Sequence, residues 1–317
     1  MPFIDLHCDT LSRLLADRRA GGHDTLRAGP GGHLSLEKLQ NSGYLLQAFA
    51  LFVDKERTAD PLAEALAQAD LFRQAAEANG DLLRPVLSFS DLEEARARGQ
   101  IGALLTVEEG AVFRGDPDLL RRFHSLGVRL VTLTWNYPNE LGFPNGQRGG
   151  LTDRGFEFLA EMERLHILPD VSHLGDDGFW DLCRAARRPF LASHSCCRAL
   201  RDHPRNLTDE MIRALADRGG IVGVNFYAHF LGNDPVSRTA DIARHLRHII
   251  DVGGLAAAAL GSDFDGIDCP LAFGDAGTMD ALVRGLKAHG FTEREIEAVT
   301  WKNARDFLRE TIYYCGH

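Results

Sequence analysis

One alternation constrains this chain more than any other feature. Eight short, β-rich apolar runs recur along it: FIDLH (3–7), YLLQAFALF (44–52), IGALLTVE (101–108), VRLVTLTW (128–135), HILPDVSH (166–173), PFLASH (189–194), GIVGVNF (220–226) and AAALGSD (257–263). Stretches with helical spacing lie between them, such as PLAEALAQADLFRQAAEANG, PDLLRRFHSLG, TDRGFEFLAEMERL, TDEMIRALADRGG and ADIARHLRHIIDVGG. Several carry an N-cap residue or end in Gly, and FTEREIEAVT adds a capping box, Thr292 with Glu295. Strands alternating with helices build parallel sheets, and eight of them over 317 residues predict a (β/α)8 TIM barrel. No Pro/Gly/Ser-rich linker, composition shift or internal repeat divides the chain, so residues 1–317 are expected to form a single domain. An open doubly wound sheet shares the alternation. Two features favour the barrel: no GxGxxG follows the first run, and polar residues recur at the ends of runs all along the chain instead of at one switch point.

Composition narrows the partners. The chain is 44% hydrophobic, enough for a full core, and carries a net charge of −10 with a pI near 5.7. An acidic protein of this kind argues against nucleic acid or an anionic membrane as partner, which leaves small molecules. MPFIDLHCDT has no basic segment leading into an apolar one, and no stretch approaches the roughly 20 apolar residues of a membrane span, so the expectation is a soluble, cytoplasmic protein. The six cysteines (Cys8, Cys183, Cys196, Cys197, Cys269, Cys315) show no CxxC spacing. They read as reduced thiols, with the adjacent Cys196 and Cys197 as packing residues.

The ends of the runs carry His7 and Asp9, Glu108, Trp135 and Asn136, His173, His194, Asn225, and Asp263 with Asp265. In a barrel these converge on one mouth although 250 residues separate them. Three imidazoles and two carboxylates, His7, Asp9, Glu108, His173 and His194, form a set of N and O donors suited to zinc or a similar divalent ion. Five donors exceed the needs of one catalytic zinc and suffice for two sharing one carboxylate, an arrangement that activates a bridging water and polarises the scissile group. One histidine at a strand end is more often a hydrogen-bonding residue; four such ends in one barrel favour the metal. His124, His166, His203, His229, His245 and His248 fall on helices, at strand starts or in loops and read as non-ligands.

Two further residues carry chemistry. Arg205 in HPRNLTD is either a surface arginine or a guanidinium that captures a substrate carboxylate bidentately. Asp263 in GSDFDG could transfer protons near the metal-bound water, and Asp265 shares its parity and stays a candidate. Parity also sorts the first run: His7 and Asp9 share a face and Cys8 opposes them, while Asp5 is expected one layer deeper on the His7 face, placed to orient a ligand.

DLHCDT, VEEG, LVTLTW, DVSH, ASHS, RN and GSDFDG, in this order and at these separations, resemble the membrane (renal-type) dipeptidase family of zinc enzymes with an amidohydrolase-like barrel. The resemblance spans nearly the whole chain. It implies two zinc ions per chain, His7 and Asp9 on the first, His173 and His194 on the second. The bridging carboxylate falls in VEEG, where the family pattern is Val-Glu-Gly-Gly. Counting to LVTLTW puts Glu108 on the bridge and Glu109 on a glycine position, with Glu109 in reserve. Arg205 matches the arginine that holds the substrate's C-terminal carboxylate, and Asp263 the acid near the reacting centre. Trp135 stands where the best-known members of the family have a histidine contacting the substrate near its scissile carbonyl, so Asn136 or Tyr137 is a candidate to supply that hydrogen bond.

The implied activity is hydrolysis of short dipeptides, with a D-residue tolerated at the C-terminal position, by attack of a metal-bridging hydroxide. Residues of NFYAHF are expected to line the pocket, and a homodimer is possible. Two rivals are a related metal-dependent amidohydrolase acting on another small amide or lactone, and a binding protein with a vestigial site.

Overall fold

The computed structural model describes residues 1–29 and 31–312; Cys315 lies outside them. Among these residues nine strands form one parallel sheet: β1 Phe3–Asp5, β2 Tyr44–Phe52, β3 Leu83–Pro85, β4 Ile101–Glu108, β5 Val128–Thr132, β6 Leu168–Asp170, β7 Ala192–Ser195, β8 Val222–Val224 and β9 Ala258–Leu260. Neighbours follow the order β6-β5-β4-β2-β1-β9-β8-β7, with β3 set off the path against β4. The two ends of that path, β6 and β7, are joined by one parallel bridge, Asp170 to Leu191, and by the bonds Val171 N to Leu191 O (2.9 Å) and Leu191 N to Pro169 O (3.2 Å). The eight expected strands are thus the eight staves of a TIM-like barrel. β3 is an addition without a sequence signal: three residues ending in Pro, which cannot donate to a ladder.

Six of the eight staves are shorter than their apolar runs suggest, while β2 and β4 match theirs. His7, Trp135, His173 and Asp263 lie past the ladders, and only Glu108 and His194 belong to strands. Beyond the last ladder bond the backbone leaves extended geometry: His173 (φ 67°), Asp263 (φ 63°) and Glu109 (φ 108°) adopt positive φ. Such conformations cost of order 1–3 kcal/mol for non-glycine residues and cluster where side chains must be aimed.

Two apolar layers hold the barrel. One draws Ile4, Leu46, Ala48, Leu104, Leu130, Leu168, Leu191, Ile221 and Ala259 from the staves or the residue leading into them, and adds Ala304, Phe307 and Leu308 of the helix Asn303–Thr311. The other packs the staves against the surrounding helices. Asp209–Asp217 illustrates how those helices form: the Thr208 hydroxyl caps it by accepting from Met211 N, and Met211, Ile212 and Leu215 share its buried face. Each large apolar side chain so buried contributes about 1.5–3 kcal/mol. The Thr292–Glu295 capping box forms as expected.

Candidate metal centre

Glu108, the last residue of β4, lies between two groups of donors. Its Oε2 is 3.2 Å from His7 Nε2, whose neighbours are Asp9 Oδ1 at 3.7 Å and Asp263 Oδ1 at 3.9 Å. Its Oε1 is 3.1 Å from His173 Nε2 and 3.4 Å from His194 Nε2. His7, Asp9, Glu108, His173 and His194 are all buried. His7 Nδ1 and Nε2, Asp9 Oδ1 and Glu108 Oε2 have no hydrogen-bond partner among the described residues. Leaving four such buried atoms unpaired costs more than a fold tolerates without compensation, and their convergence fits divalent cations. Nitrogen and carboxylate donors at these separations suit a divalent metal ion.

Electrostatics agree with a built cation site. Burial alone would pull the His7 imidazole down, yet Glu108 and Asp9 beside it together hold it well above the usual histidine range. Burial would raise Glu108, and the surrounding imidazoles instead hold it well below the usual carboxylate range. Burial, with Glu108 adding to it, raises Asp9 well up. Burial and then the Arg205 charge lower His173 to about 4, and burial, with His7 and Arg205 adding to it, holds His194 well below its ordinary value.

The two sides of VEEG separate cleanly. Glu109 turns away at φ 108°, where its carboxylate accepts from Ala111 N at 2.8 Å and from Asn139 Nδ2 at 2.5 Å. Glu108 alone of the pair stands among the imidazoles. Asp265 is likewise occupied elsewhere: it accepts from Thr10 Oγ1 at 2.7 Å and from His33 N, with Arg13 Nε at 3.4 Å. Asp263 differs, since one oxygen accepts from Asn225 Nδ2 at 2.8 Å and the other faces His7. Burial pushes it up to about 6. Gly266 has no side chain where a Cβ would lie 2.0 Å from Asp9 Oδ2 and 2.5 Å from Asp263 Oδ1, so this turn presses directly on both acids.

The structure brings His7 and Asp9 together, but not by the regular parity expected of the first run. Phe3 and Cys8 both pack in the helix-facing layer while Ile4 and Leu6 pack in the inner one, so alternation slips once between Leu6 and Cys8, beyond the last residue of β1. Asp5 therefore does not share one regular face with His7. It accepts from Ser262 N (2.8 Å), Ser262 Oγ (2.5 Å) and His7 N (3.4 Å), fastening the His7 backbone to the chain beyond β9.

Arg205 is buried, not at the surface. Nη1 donates to Ser195 Oγ and Nη2 to His194 O, both at 2.9 Å, while Nε has no partner. No carboxylate pairs with it among the described residues. Trp135 and Asn136 line the cavity above the donors with Phe52, Tyr227, Phe230 and Ile267; its volume is about 420 Å³. Trp135 stands edge-on to Phe52 (ring centroids 5.0 Å) and 6.1 Å from His173. The Asn136 carbonyl oxygen is 3.0 Å from His173 Nδ1, a contact its position in WNYPN did not announce. None of His124, His166, His203, His229, His245 or His248 joins a cluster of potential metal donors among the described residues. Sequence reasoning missed Asp170, Ser172, Ser193 and Ser195, polar residues of the same strand ends that lie behind the imidazoles.

The model of the membrane dipeptidase family, peptidase family M19, matches residues 1–312. The chain belongs to that family. This metallo-dipeptidase, a hydrolase of peptide bonds, is similar to a solved metallopeptidase from Rhodobacter sphaeroides liganded with a phosphinate mimic of L-Ala-D-Ala: 28% identity, TM-score 0.90, covering 98% of this chain and 99% of that one. It is equally similar to the solved dipeptidase AC of family M19, with 29% identity, TM-score 0.91 and 98% of each chain covered. An uncharacterised dipeptidase of Schizosaccharomyces pombe is 30% identical over 302 residues, 88% of this chain and 72% of its own length. No helix among the described residues of the dipeptidase is long and apolar enough to cross a membrane.

Proposed function

We propose that the dipeptidase is a binuclear zinc enzyme that cleaves free dipeptides, including ones with a D-residue at the C-terminal position. The observation that carries this reading is the placement of Glu108 with one oxygen toward His7 and Asp9 and the other toward His173 and His194. His7, Asp9 and Glu108 would hold one ion and His173, His194 and Glu108 the other. The ions supply an activated water and a Lewis acid for the scissile carbonyl.

The chain's own residues do the rest. Arg205, a buried cation without a paired carboxylate among the described residues, is costly unless a substrate carboxylate completes it. Asp263, beside His7 and held by Asn225 Nδ2, moves the proton to the leaving amine, a task suited to a carboxyl pushed up to about 6. Trp135, Phe52, Tyr227 and Phe230 narrow the cavity and exclude water. Anchoring one end by its carboxylate in a cavity of this size selects short substrates. The phosphinate mimic of L-Ala-D-Ala on the Rhodobacter relative supports the D-residue. The five described cysteines are free and buried, which fits the cytoplasmic location read from the sequence.

The test is a panel of L-L and L-D dipeptides assayed with zinc-loaded protein, alongside metal analysis. Turnover of the panel with close to two zinc ions per chain is expected. Turnover of none would overturn the dipeptide assignment in favour of another small amide or lactone, the reading that Trp135 in a histidine's place favours.

A further inference from the structure

Three serine hydroxyls lie in a row behind the imidazoles of the second donor group. Asp170 Oδ2, at the end of β6, is 2.5 Å from Ser193 Oγ. Ser193 Oγ is 3.4 Å from Ser172 Oγ, which is 3.3 Å from Ser195 Oγ, and Ser195 Oγ is 2.9 Å from Arg205 Nη1. All five residues are buried, the four smaller ones at 0–1% exposure and Arg205 at 4%.

Donor chemistry fixes the direction of every link. A guanidinium only donates, so Ser195 Oγ accepts from Arg205 and its single hydrogen is free for Ser172. An ionised carboxylate only accepts; Asp170 takes Ser193 Oγ–H along with Thr132 Oγ1–H and the backbone N–H groups of Ser172 and Ser193. Having given its hydrogen away, Ser193 Oγ can only accept from His194 Nδ1, 2.7 Å distant. The His194 ring therefore carries its proton on Nδ1 and turns the Nε2 lone pair toward Glu108. All hydrogens along the row point from the cation to the carboxylate, an arrangement in which each bond polarises the next. The backbone is pinned to match: Ser172 Oγ accepts from His194 N at 3.0 Å, and a Cβ on Gly261 would lie 1.8 Å from Ser193 O.

We propose that Asp170 is a positioning residue that acts through Ser193, Ser172 and Ser195 on two targets at once, the tautomer of His194 and the aim of Arg205. It is the distant counter-ion of the buried guanidinium, relayed by three hydroxyls, and metal binding and substrate-carboxylate binding share this support. The proposal rests on the reading above, in which His194 holds zinc and Arg205 holds the carboxylate.

The experiment uses the full-length zinc-loaded protein and the variants Ser193→Ala, Ser195→Ala, Asp170→Asn and Arg205→Lys. Zinc affinity is read by competition with a chromogenic chelator, and KM and kcat are measured on a free dipeptide. Ser193→Ala is expected to weaken one of the two zinc ions about 10- to 100-fold, as loss of a partner behind a metal-bound histidine does. Ser195→Ala is expected to raise KM about tenfold with kcat and zinc affinity nearly unchanged, the loss of one hydrogen bond to a charged group. Asp170→Asn shows both effects together; if it fails to fold, the two serine variants decide. A purely structural role would lower thermal stability and leave zinc affinity and the KM-to-kcat split where they were. Zinc affinity of Ser193→Ala and KM of Ser195→Ala both within about twofold of the parent, while Arg205→Lys raises KM, would overturn the relay alone. An unchanged KM in Arg205→Lys, or a parent that holds no second zinc, overturns the underlying reading and the relay with it.

Discussion

The rings of His7 and His194 stack with centroids 3.7 Å apart, yet they are held in opposite ways. His194 has its Nδ1 fixed by Ser193 Oγ, and His173 beside it has its Nδ1 fixed by Asn136 Oδ1. His7 has neither ring nitrogen hydrogen-bonded, and Asp9 Oδ1 is also unpaired. One half of the centre is aimed by side chains behind it; the other is aimed by backbone, through Asp5 on His7 N and the bond from Asp9 N to Phe264 O. Preorganisation of the first kind keeps an apo site ready, whereas the second leaves charge and direction to be completed by what binds.

Glu108 is the residue the halves share, so its removal should abolish the contrast altogether. Glu108→Ala is expected to lose both ions and to lower kcat/KM by at least about a thousandfold, since metal stabilisation of several kcal/mol disappears at about 1.4 kcal/mol per tenfold. Metal analysis of the purified variant checks it. A variant that keeps two zinc ions would move the bridge elsewhere, and Glu109, bonded to Asn139 and Ala111, is too far committed to take it without refolding its turn.

Proton release should separate the halves more finely. In the metal-free protein His7 is held well above its normal range, hence protonated near pH 7, while His173 at about 4 and His194, held well below its ordinary value by burial, are neutral there. Cation binding must displace the His7 proton and none from the other pair. Calorimetry in buffers of different ionisation enthalpy at pH 7 is therefore expected to show at least one proton released by the ion that enters the His7 half, from His7 and from Asp9 to the extent that burial keeps its carboxyl protonated, and none by the other. The sign carries over to stability: a folded-state value raised above 6.5 contributes fully below that pH and is lost as pH rises through the raised value, so the metal-free protein alone should weaken at alkaline pH through His7. Release of protons in equal number by both ions would erase the distinction.

How much of this was legible beforehand follows the same division. The eight staves could be read because each is an apolar run long enough to show against amphipathic helices; β3 could not, because Leu83–Pro85 is three residues ending in proline. The proposed donors at strand ends could be picked out because His, Asp and Glu are conspicuous in such runs. What supports them could not. Asp170, Ser172, Ser193 and Ser195 are small polar residues whose role depends on the register of β6 beside β7, a register set by one bridge. Asn136 looked like a substrate contact, and its bond to His173 depends on the turn after β5. The slip between Leu6 and Cys8 was invisible because sequence alternation assumes a ladder that stops at Asp5. Residue types reveal the atoms that do chemistry; the atoms that aim them are revealed only when strands are brought side by side.

Asn136→Ala tests that lesson on the anchored half. It removes the acceptor at 3.0 Å from His173 Nδ1 and leaves every proposed donor in place. Affinity for one ion is expected to fall about 10- to 100-fold, with the His7 half unaffected. Equal weakening of both ions, by chelator competition, would mean that the halves are not separately supported.

The smallest effect is expected at the residue between two proposed ligands. Cys8 is fully buried in the helix-facing layer, and its thiol, pushed well up by burial, is a poor source of thiolate. Its sulfur accepts from Thr10 Oγ1 at 3.4 Å. Cys8→Ser exchanges a weakly polar sulfur for a hydroxyl with Thr10 as its nearest partner, at a cost of about 1–3 kcal/mol for burying a polar group imperfectly paired. Zinc content should stay at the parent value while the midpoint of denaturant unfolding falls. His7→Ala and Asp9→Ala, one residue to either side, should do the reverse and lose metal and activity together. If Cys8→Ser lost an ion with the fold intact, the slip after β1 would have to run the other way, turning the thiol into the barrel mouth and one of its neighbours out of it.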